Sequence, residues 1–285
     1  MSATAIEKDV VYGDAGERPL RLDIYRPQGR SLRTAVVMAH GGGWSRGSKD
    51  MLVEHAKALA AEGFVAIPIE YRLTGEALWP AQIHDLKRAI RWVRGHADAL
   101  EFDADNLCLE GHSAGAHMVL LAAGTAGDAR LDPPEGDGGV SAACAAVAAV
   151  YPPVLFHLSG AWPSGGLAAR SLPGADVSED AAVLASPIEH VGPDYPPVML
   201  LHGDADKVVP VSASRRFEEK VRAEGGKVDL HVFGGLPHGF GNHAVFRPMM
   251  MTMISAFFRR TVAEPEAFVF ARAQAQPQPE PQPAG

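Results

Sequence analysis

The chain has 285 residues, of which 47% are hydrophobic and 21% charged, with a formal net charge of -8. This composition is typical of a globular protein, and the length suits one large α/β domain. The acidic balance, without a basic cluster, argues against nucleic acid as a partner. No apolar run approaches the ~20 residues that a membrane helix requires, so no membrane partner is expected.

The first residues and the cysteines indicate a cellular compartment. The N-terminus MSATAIEKDVVYGD is polar and lacks the basic flank and apolar core of a signal peptide. Cys108 and Cys144 lie in apolar runs without a metal-ligand pattern, and we expect both to be buried, reduced and structural, with a disulfide as the alternative. A cytoplasmic location is the resulting expectation.

Strands and helices alternate along most of the chain. Short apolar or alternating runs predict strands at 10–12, 20–25, 34–39, 64–69, 107–109, 143–150, 198–201 and 228–233. Helical periodicity predicts helices at 50–62, 83–97, 114–123, 212–225 and 245–260. This alternation favours a mostly parallel sheet with helices on both faces, which binds ligands at the carboxyl ends of its strands.

We predict one α/β domain over residues 1–272, with two segments that depart from the alternation. Residues 151–197 are rich in proline and lack periodicity, and we expect a short cap segment there. Residues 273–285 are rich in proline and glutamine and cannot bury a core, so we expect a disordered tail.

Ser113 is the candidate nucleophile. It lies in Gly111-His112-Ser113-Ala114-Gly115, between an apolar run and a helical segment. Strand, sharp turn and helix form the context in which G-x-S-x-G acts as a nucleophile elbow. The alternative is a glycine-rich turn that carries a solvated serine.

A serine nucleophile needs a base and an acid that orients the base. His238 follows the last predicted strand and is the candidate base. His40, His112, His117 and His202 also lie near strand ends or the elbow, and we expect structural roles for them. Asp206 and Asp204 both follow a late strand, and Asp206 is the favoured acid, although both could be turn formers. The histidines lack the spacing of a metal site, so no metal is expected.

The oxyanion of acyl transfer requires preorganised N–H donors. The amide of Ala114, directly after the serine, is one candidate, and the amides of Gly42 and Gly43 in His40-Gly41-Gly42-Gly43-Trp44 are the others. The alternative for this second motif is a flexible turn. Bulky side chains that could line a substrate pocket, or equally the core, are Trp44, Tyr151, Phe156 and Trp162. Arg72 is expected to pair with a carboxylate such as Asp85, and binding of a substrate carboxylate is its alternative.

Together these motifs resemble the hormone-sensitive-lipase-like carboxylesterases of the α/β-hydrolase superfamily. The motifs are His40–Trp44, Tyr71-Arg72, Gly111–Gly115, Ser186-Pro187-Ile188, His202-Gly203-x-x-Asp206-x-x-Val209-Pro210 and His238-Gly239-Phe240, within residues 10–260. The resemblance is strongest to bacterial feruloyl and acetylxylan esterase-like proteins and to kynurenine formamidases. It implies an α/β-hydrolase fold, a Ser–Asp–His order with Asp206 as the acid, and no cofactor.

The resemblance therefore implies a serine carboxylesterase that hydrolyses small-molecule esters with short or aromatic acyl groups. An arylformamidase is the alternative, because it would use the same residues. A binding protein with a silent hydrolase fold is a third hypothesis, and the presence of every triad residue argues against it. The sequence does not fix the oligomeric state.

Overall fold

The computed structural model describes residues 6–14, 16, 18–136, 138–156 and 178–269. Three predictions concern residues outside these ranges: the tail at 273–285, residues 157–177 of the cap segment, and Trp162 as a pocket residue.

The described residues form one twisted sheet of eight strands. The strands are β1 (Ile6–Asp14), β2 (Pro19–Tyr25), β3 (Ala35–Ala39), β4 (Val65–Ile69), β5 (Leu107–His112), β6 (Ala146–Val150), β7 (Val198–Gly203) and β8 (Val228–Phe233). Their order is β1-β2-β4-β3-β5-β6-β7-β8. The first two strands pair antiparallel with their neighbours, and the pairs from β4 to β8 are parallel. The predicted mostly parallel sheet is confirmed.

Helices cover both faces of this sheet. They are α1 (Val53–Ala61), α2 (Ala81–Gly95), α3 (Ala97–Leu100), α4 (Ala114–Gly124), α5 (Glu179–Ala185), α6 (Ser212–Ala223) and α7 (Arg247–Phe258). Alternate residues of β3 enter two separate cores: Val37 packs in the core that includes α2, α4 and α6, and Val36 in the core that includes α1 and α7. Because both faces are covered, every residue of β3 is buried, which explains its continuous apolar sequence.

The bounds of several elements differ from the sequence predictions, and two of these differences have a clear local cause. The first strand begins at Ile6 rather than at residue 10, because antiparallel pairing with β2 extends an edge strand whose side chains are mostly exposed. The predicted helix 50–62 begins with a 3-10 turn, Lys49–Leu52, in which the Ser48 side chain accepts a hydrogen bond from the Asp50 amide. The α-helix then starts at Val53.

Both cysteines are free thiols, as predicted. Cys108 is buried in β5, whereas Cys144 is only half-buried, and the partial loss of solvent around its thiol raises the pKa of Cys144 to about 12. Every helix in the described part of the chain is too short or too polar to span a lipid bilayer.

Candidate active site

Three side chains from separate loops meet at the carboxyl edge of the sheet. Ser113 follows β5, Asp206 follows β7 and His238 follows β8. The Nε2 atom of His238 lies 2.9 Å from Ser113 Oγ, and its Nδ1 atom lies 2.7 Å from Asp206 Oδ2. The parallel order of β5, β6, β7 and β8 brings these loops together although 125 residues separate Ser113 from His238.

Ser113 occupies a strained turn between β5 and α4. Its backbone has φ 51° and ψ -113°, a conformation that residues other than glycine rarely adopt. The two flanking glycines allow the strand and helix to approach closely. A Cβ atom at Gly111 would lie 2.5 Å from the Gly115 carbonyl, and one at Gly115 would lie 2.0 Å from the Ala39 carbonyl oxygen. The G-x-S-x-G spacing therefore follows from backbone packing.

Gly115→Ala is expected to destabilise the protein, although an alanine inside a helix normally stabilises it relative to glycine. The added methyl would meet the backbone of Ala39, which cannot move without disturbing β3. Overpacking of this kind costs about 1–3 kcal/mol of the free energy of unfolding. Urea denaturation measures this loss, and Gly127→Ala, an exposed site with open space around it, is the matched control. Equal stability of the two variants would contradict the packing argument.

Asp206 is held in place from several directions. Its Oδ1 atom accepts hydrogen bonds from the amides of Val208 and Val209, at 2.8 and 2.9 Å. Burial alone would raise the pKa of Asp206, but hydrogen bonds with His202, His238 and the Val209 amide lower it well below its usual value. The carboxylate is therefore ionised at neutral pH. Asp204, the other candidate, instead accepts a hydrogen bond from the Gly235 amide at 2.6 Å.

The other candidate histidines contact structural groups. His202 Nδ1 lies 2.7 Å from Ser214 Oγ, and its Nε2 atom lies 2.9 Å from the Val209 carbonyl oxygen and 3.3 Å from Asp206 Oδ2. The ring therefore supports the loop that carries Asp206. His112 Nδ1 lies 3.1 Å from the Tyr151 hydroxyl.

His40 and His117 border the glycine loop, which we define as residues 41–43. The His40 ring stacks on Tyr71, whose hydroxyl donates to the His40 carbonyl oxygen at 2.9 Å. Burial lowers the pKa of His40 and of His117 to about 4, so both rings are neutral. His117 accepts a hydrogen bond from the indole of Trp44 at 3.2 Å, and its Nε2 atom lies 2.8 Å from the Ala185 carbonyl oxygen.

The glycine loop lies directly against the serine. A Cβ atom at Gly41 would lie 3.3 Å from Ser113 Cβ. Gly42 and Gly43 have φ values of 129° and 59°, and a side chain at Gly42 would lie 1.9 Å from the Arg46 carbonyl oxygen. Glycine is therefore required for the backbone to make this turn beside Ser113.

The bulky candidates for pocket walls differ in their surroundings. Trp44 and Phe156 are buried in one aromatic group with His117, with ring centroids 4.9 to 5.9 Å apart. Tyr151 is also buried, and its ring centroid lies 4.5 Å from that of His238. Their role as pocket residues stays a prediction.

Arg72 forms the predicted ion pair. Its Nε and Nη2 atoms donate to the two oxygens of Asp85 at 2.8 and 2.6 Å, and its backbone amide donates to the same carboxylate at 2.9 Å. Asp85 is buried on α2, so the pair fixes the loop after β4 to that helix.

Sequence reasoning missed the buried carboxylate of Glu110. It lies on β5, and its Oε1 atom is 2.6 Å from His112 Nε2. The sequence did contain a signal, an acidic residue within an otherwise apolar strand. A buried charge without a partner is energetically costly, so such a residue indicates a polar contact inside the protein.

Comparison with known proteins relates the chain to a group of esterases. Residues 22–221 match the BD-FAE family. The chain is similar to the probable carboxylic ester hydrolase LipM of Mycobacterium tuberculosis, with 33% identity over 76% of this chain and 52% of LipM. It is also similar to esterase LipQ of the same organism, with 32% identity over 85% of this chain and 59% of LipQ. The chain thus spans a little over half the length of these relatives.

Solved structures have the same fold. Native esterase 2 of Thermogutta terrifontis superposes with a TM-score of 0.76 and 27% identity, over 91% of this chain and 92% of the esterase. A truncated carbohydrate esterase from gut microbiota superposes with a TM-score of 0.77 and 25% identity, over 92% of this chain and 97% of that one. These superpositions confirm the predicted fold. Because the family match covers well over half of its residues, the chain belongs to the BD-FAE family and has the α/β-hydrolase fold.

Proposed function

We propose that the protein is a serine carboxylesterase that hydrolyses short-chain or aromatic esters through an acyl-enzyme intermediate. The observation that carries the proposal is the hydrogen-bonded series from Ser113 Oγ through His238 to Asp206, with distances of 2.9 and 2.7 Å. A serine hydroxyl becomes a useful nucleophile when a histidine accepts its proton and a carboxylate orients that histidine.

The first half of the reaction acylates the enzyme. His238 Nε2 takes the proton of the Ser113 hydroxyl while Oγ attacks the ester carbonyl carbon. The carbonyl oxygen becomes an oxyanion, and the amides of Ala114, Gly42 and Gly43 donate hydrogen bonds to it. The tetrahedral intermediate then breaks its bond to the alcohol oxygen, and the imidazolium returns the proton to that oxygen. Asp206 stays ionised throughout and stabilises the positive charge on His238.

The second half regenerates the serine. A water molecule gives its proton to His238 and attacks the acyl carbon, and a second oxyanion forms in the same position. The intermediate releases Ser113 Oγ, which takes the proton back from His238. The products are the alcohol and the carboxylic acid, and the balance of atoms requires nothing beyond the ester and water.

The similar esterase of Thermogutta terrifontis supports this chemistry and a small acyl group. Its solved forms include one with propionate bound and one phosphorylated by paraoxon. Propionate is the product acid of a short-chain ester. Paraoxon transfers its phosphoryl group to activated nucleophiles, and we propose that Ser113 reacts with it in the same way.

We expect kcat/KM for p-nitrophenyl esters to be highest between acetate and hexanoate and to fall steeply by dodecanoate. Each methylene that the acyl pocket buries contributes about 0.8 kcal/mol, but only while the pocket has room. Longer chains must leave carbons in water or force the pocket walls apart. The measurement uses the whole chain and substrates below their micellar limits. Faster turnover of dodecanoate than of butyrate would contradict the small pocket.

The same assay distinguishes an esterase from an arylformamidase. N-formylkynurenine is added to the panel of esters, because an arylformamidase would use the same nucleophile and donors. We expect every short ester to exceed it in kcat/KM. Preferred turnover of the formamide would replace the esterase proposal while leaving the role of Ser113 intact.

A further inference from the structure

A buried polar network lies behind the imidazole of His238. We define it as Glu110 and His112 on β5 together with Tyr151 at the end of β6. Each of the three side chains is at most 1% exposed. His112 lies between the other two, with Nε2 2.6 Å from Glu110 Oε1 and Nδ1 3.1 Å from the Tyr151 hydroxyl. The series ends at the ring of His238, which packs on Tyr151 at 4.5 Å.

One hydrogen bond and one close contact join the three members of the network. Burial raises the pKa of Tyr151, so its hydroxyl stays protonated and can donate to His112 Nδ1. The Nε2 atom of His112 faces the carboxyl group of Glu110, 2.6 Å from its Oε1 atom. That carboxylate has no hydrogen-bond partner among the described residues, and the Nε2 contact is off the direction of an ideal hydrogen bond. Glu110 therefore meets His112 through a close contact and not through a well-directed hydrogen bond.

The backbone of Tyr151 is held in an uncommon conformation. Its φ of 45° lies in the left-handed region, which bulky side chains rarely occupy. The amide of Tyr151 donates to the Leu201 carbonyl of β7 at 2.8 Å, and the Val150 carbonyl accepts from the Ser113 amide at 2.9 Å. Strained residues of this kind persist where the surrounding structure holds them, often beside a functional group.

The network also touches the loop that follows His238. His55 Nε2 donates to the Gly241 carbonyl oxygen at 3.1 Å, and burial lowers the pKa of His55 to about 3, so this ring is neutral. The ring of His55 packs edge-on against His112 at 4.8 Å. A Cβ atom at Gly241 would lie 3.2 Å from His112 Cε1. His112 thus lies next to Tyr151 and next to Gly241, in the loop that follows His238.

We propose that Tyr151 is a positioning residue for His238, and that His112 and Glu110 hold the Tyr151 ring at the angle this role requires. This inference rests on the proposed function, in which His238 transfers the proton. It differs from a pocket-wall role, because a ring that is 1% exposed offers almost no surface to a substrate. The two rings are in contact, with centroids 4.5 Å apart and planes at 54°, so removal of the Tyr151 ring would leave space into which the imidazole could turn away from Ser113 and Asp206.

The test compares Tyr151→Leu, which removes the ring, with Tyr151→Phe, which removes the hydroxyl alone. Tyr195→Phe is the matched control, since Tyr195 is a buried tyrosine that donates to a backbone carbonyl, of Leu120, at 2.8 Å. A misplacement of about 1 Å costs on the order of 10²-fold in rate. We expect kcat to fall by that order in Tyr151→Leu and by less in Tyr151→Phe, with KM unchanged. The control keeps its kcat.

Comparison of p-nitrophenyl esters of different acyl length distinguishes a positioning residue from a residue of the pocket wall. A positioning residue lowers kcat by the same factor for p-nitrophenyl acetate and hexanoate, because it acts through His238. A pocket wall changes KM and shifts the preferred acyl length when its ring is removed. A shift of acyl preference, or kcat values equal to that of Tyr195→Phe, would overturn the proposal. If Tyr151→Leu does not fold, Tyr151→Phe decides the question alone.

A spectroscopic measurement keeps the inference separate from the proposed function. We expect the Nδ1–H proton of His238, in its hydrogen bond with Asp206, to give a far-downfield proton resonance, which can be recorded without substrate turnover. We expect this resonance to broaden through exchange with water in Tyr151→Leu and to stay sharp in Tyr195→Phe. An unchanged resonance in Tyr151→Leu would overturn the inference even if esters are hydrolysed. Absence of ester hydrolysis by the wild type would overturn the proposed function instead.

Discussion

Ser113→Ala is expected to lower kcat for ester hydrolysis by about 10⁶-fold, the order found when a triad nucleophile is removed. Alanine keeps the Cβ atom, so the strained backbone at φ 51° is no worse for the variant than for the wild type. The loss is one hydrogen bond, from Ser113 Oγ to His238. We therefore expect the free energy of unfolding to change little while turnover is lost.

The control for this variant is Ser212→Ala, at an exposed serine that begins α6. Its kcat should equal that of the wild type. Both variants are assayed on p-nitrophenyl butyrate after circular dichroism has verified their folding. A Ser113→Ala protein that keeps a tenth of wild-type activity would refute the assignment of the nucleophile.

Asp206→Asn is expected to lower kcat by about 10⁴-fold, as loss of the carboxylate does in other triads. An amide in place of the carboxylate leaves the imidazolium of His238 without its counter-charge and favours the wrong tautomer. The matched control is Asp204→Asn, because Asp204 lies in the same loop and accepts only the Gly235 amide among the contacts described. We expect the control to keep its activity. A larger loss of kcat in Asp204→Asn than in Asp206→Asn would make Asp204, and not Asp206, the acid of the triad.

Asp206→Asn is also expected to change the pH dependence of stability. The pKa of Asp206 is lower in the folded protein than its ordinary value, so its ionised form stabilises the fold. This contribution is complete above the ordinary aspartate value of about 4 and is lost as the pH falls towards the lowered value. Urea denaturation should therefore show a gap between wild type and Asp206→Asn at pH 7 that narrows below about pH 4.

Much of the site could be predicted because it depends on local sequence. Contacts of the elbow with its own helix and with β3 require glycine at Gly111 and Gly115, and these are the two glycines of the G-x-S-x-G motif. The loops that carry Ser113, Asp206 and His238 each follow a strand, and parallel strands bring their carboxyl ends to one edge. The position of each residue after its strand was therefore enough to predict the meeting of the three side chains.

The surroundings of the site could not be predicted, because they depend on which strands are neighbours. Tyr151 reaches His238 because β6 lies between β5 and β7, an order that no local pattern encodes. Trp44 and Phe156 are aromatic residues that follow strands. The sequence does not distinguish an aromatic residue that packs in the core from one that lines a pocket. Their burial beside His117 follows from the position of α4 and α5, which depends on the whole sheet.

The most direct test of the central claim is the site of covalent modification by paraoxon. We expect one equivalent of p-nitrophenol per chain, loss of ester hydrolysis in step with its release, and a diethyl phosphate adduct on the peptide that contains Ser113. Ser113→Ala should release no such burst, and Ser212→Ala should behave as the wild type. Inactivation with the adduct on another residue, or full ester hydrolysis by a chain phosphorylated at Ser113, would contradict the assignment of Ser113 as the nucleophile.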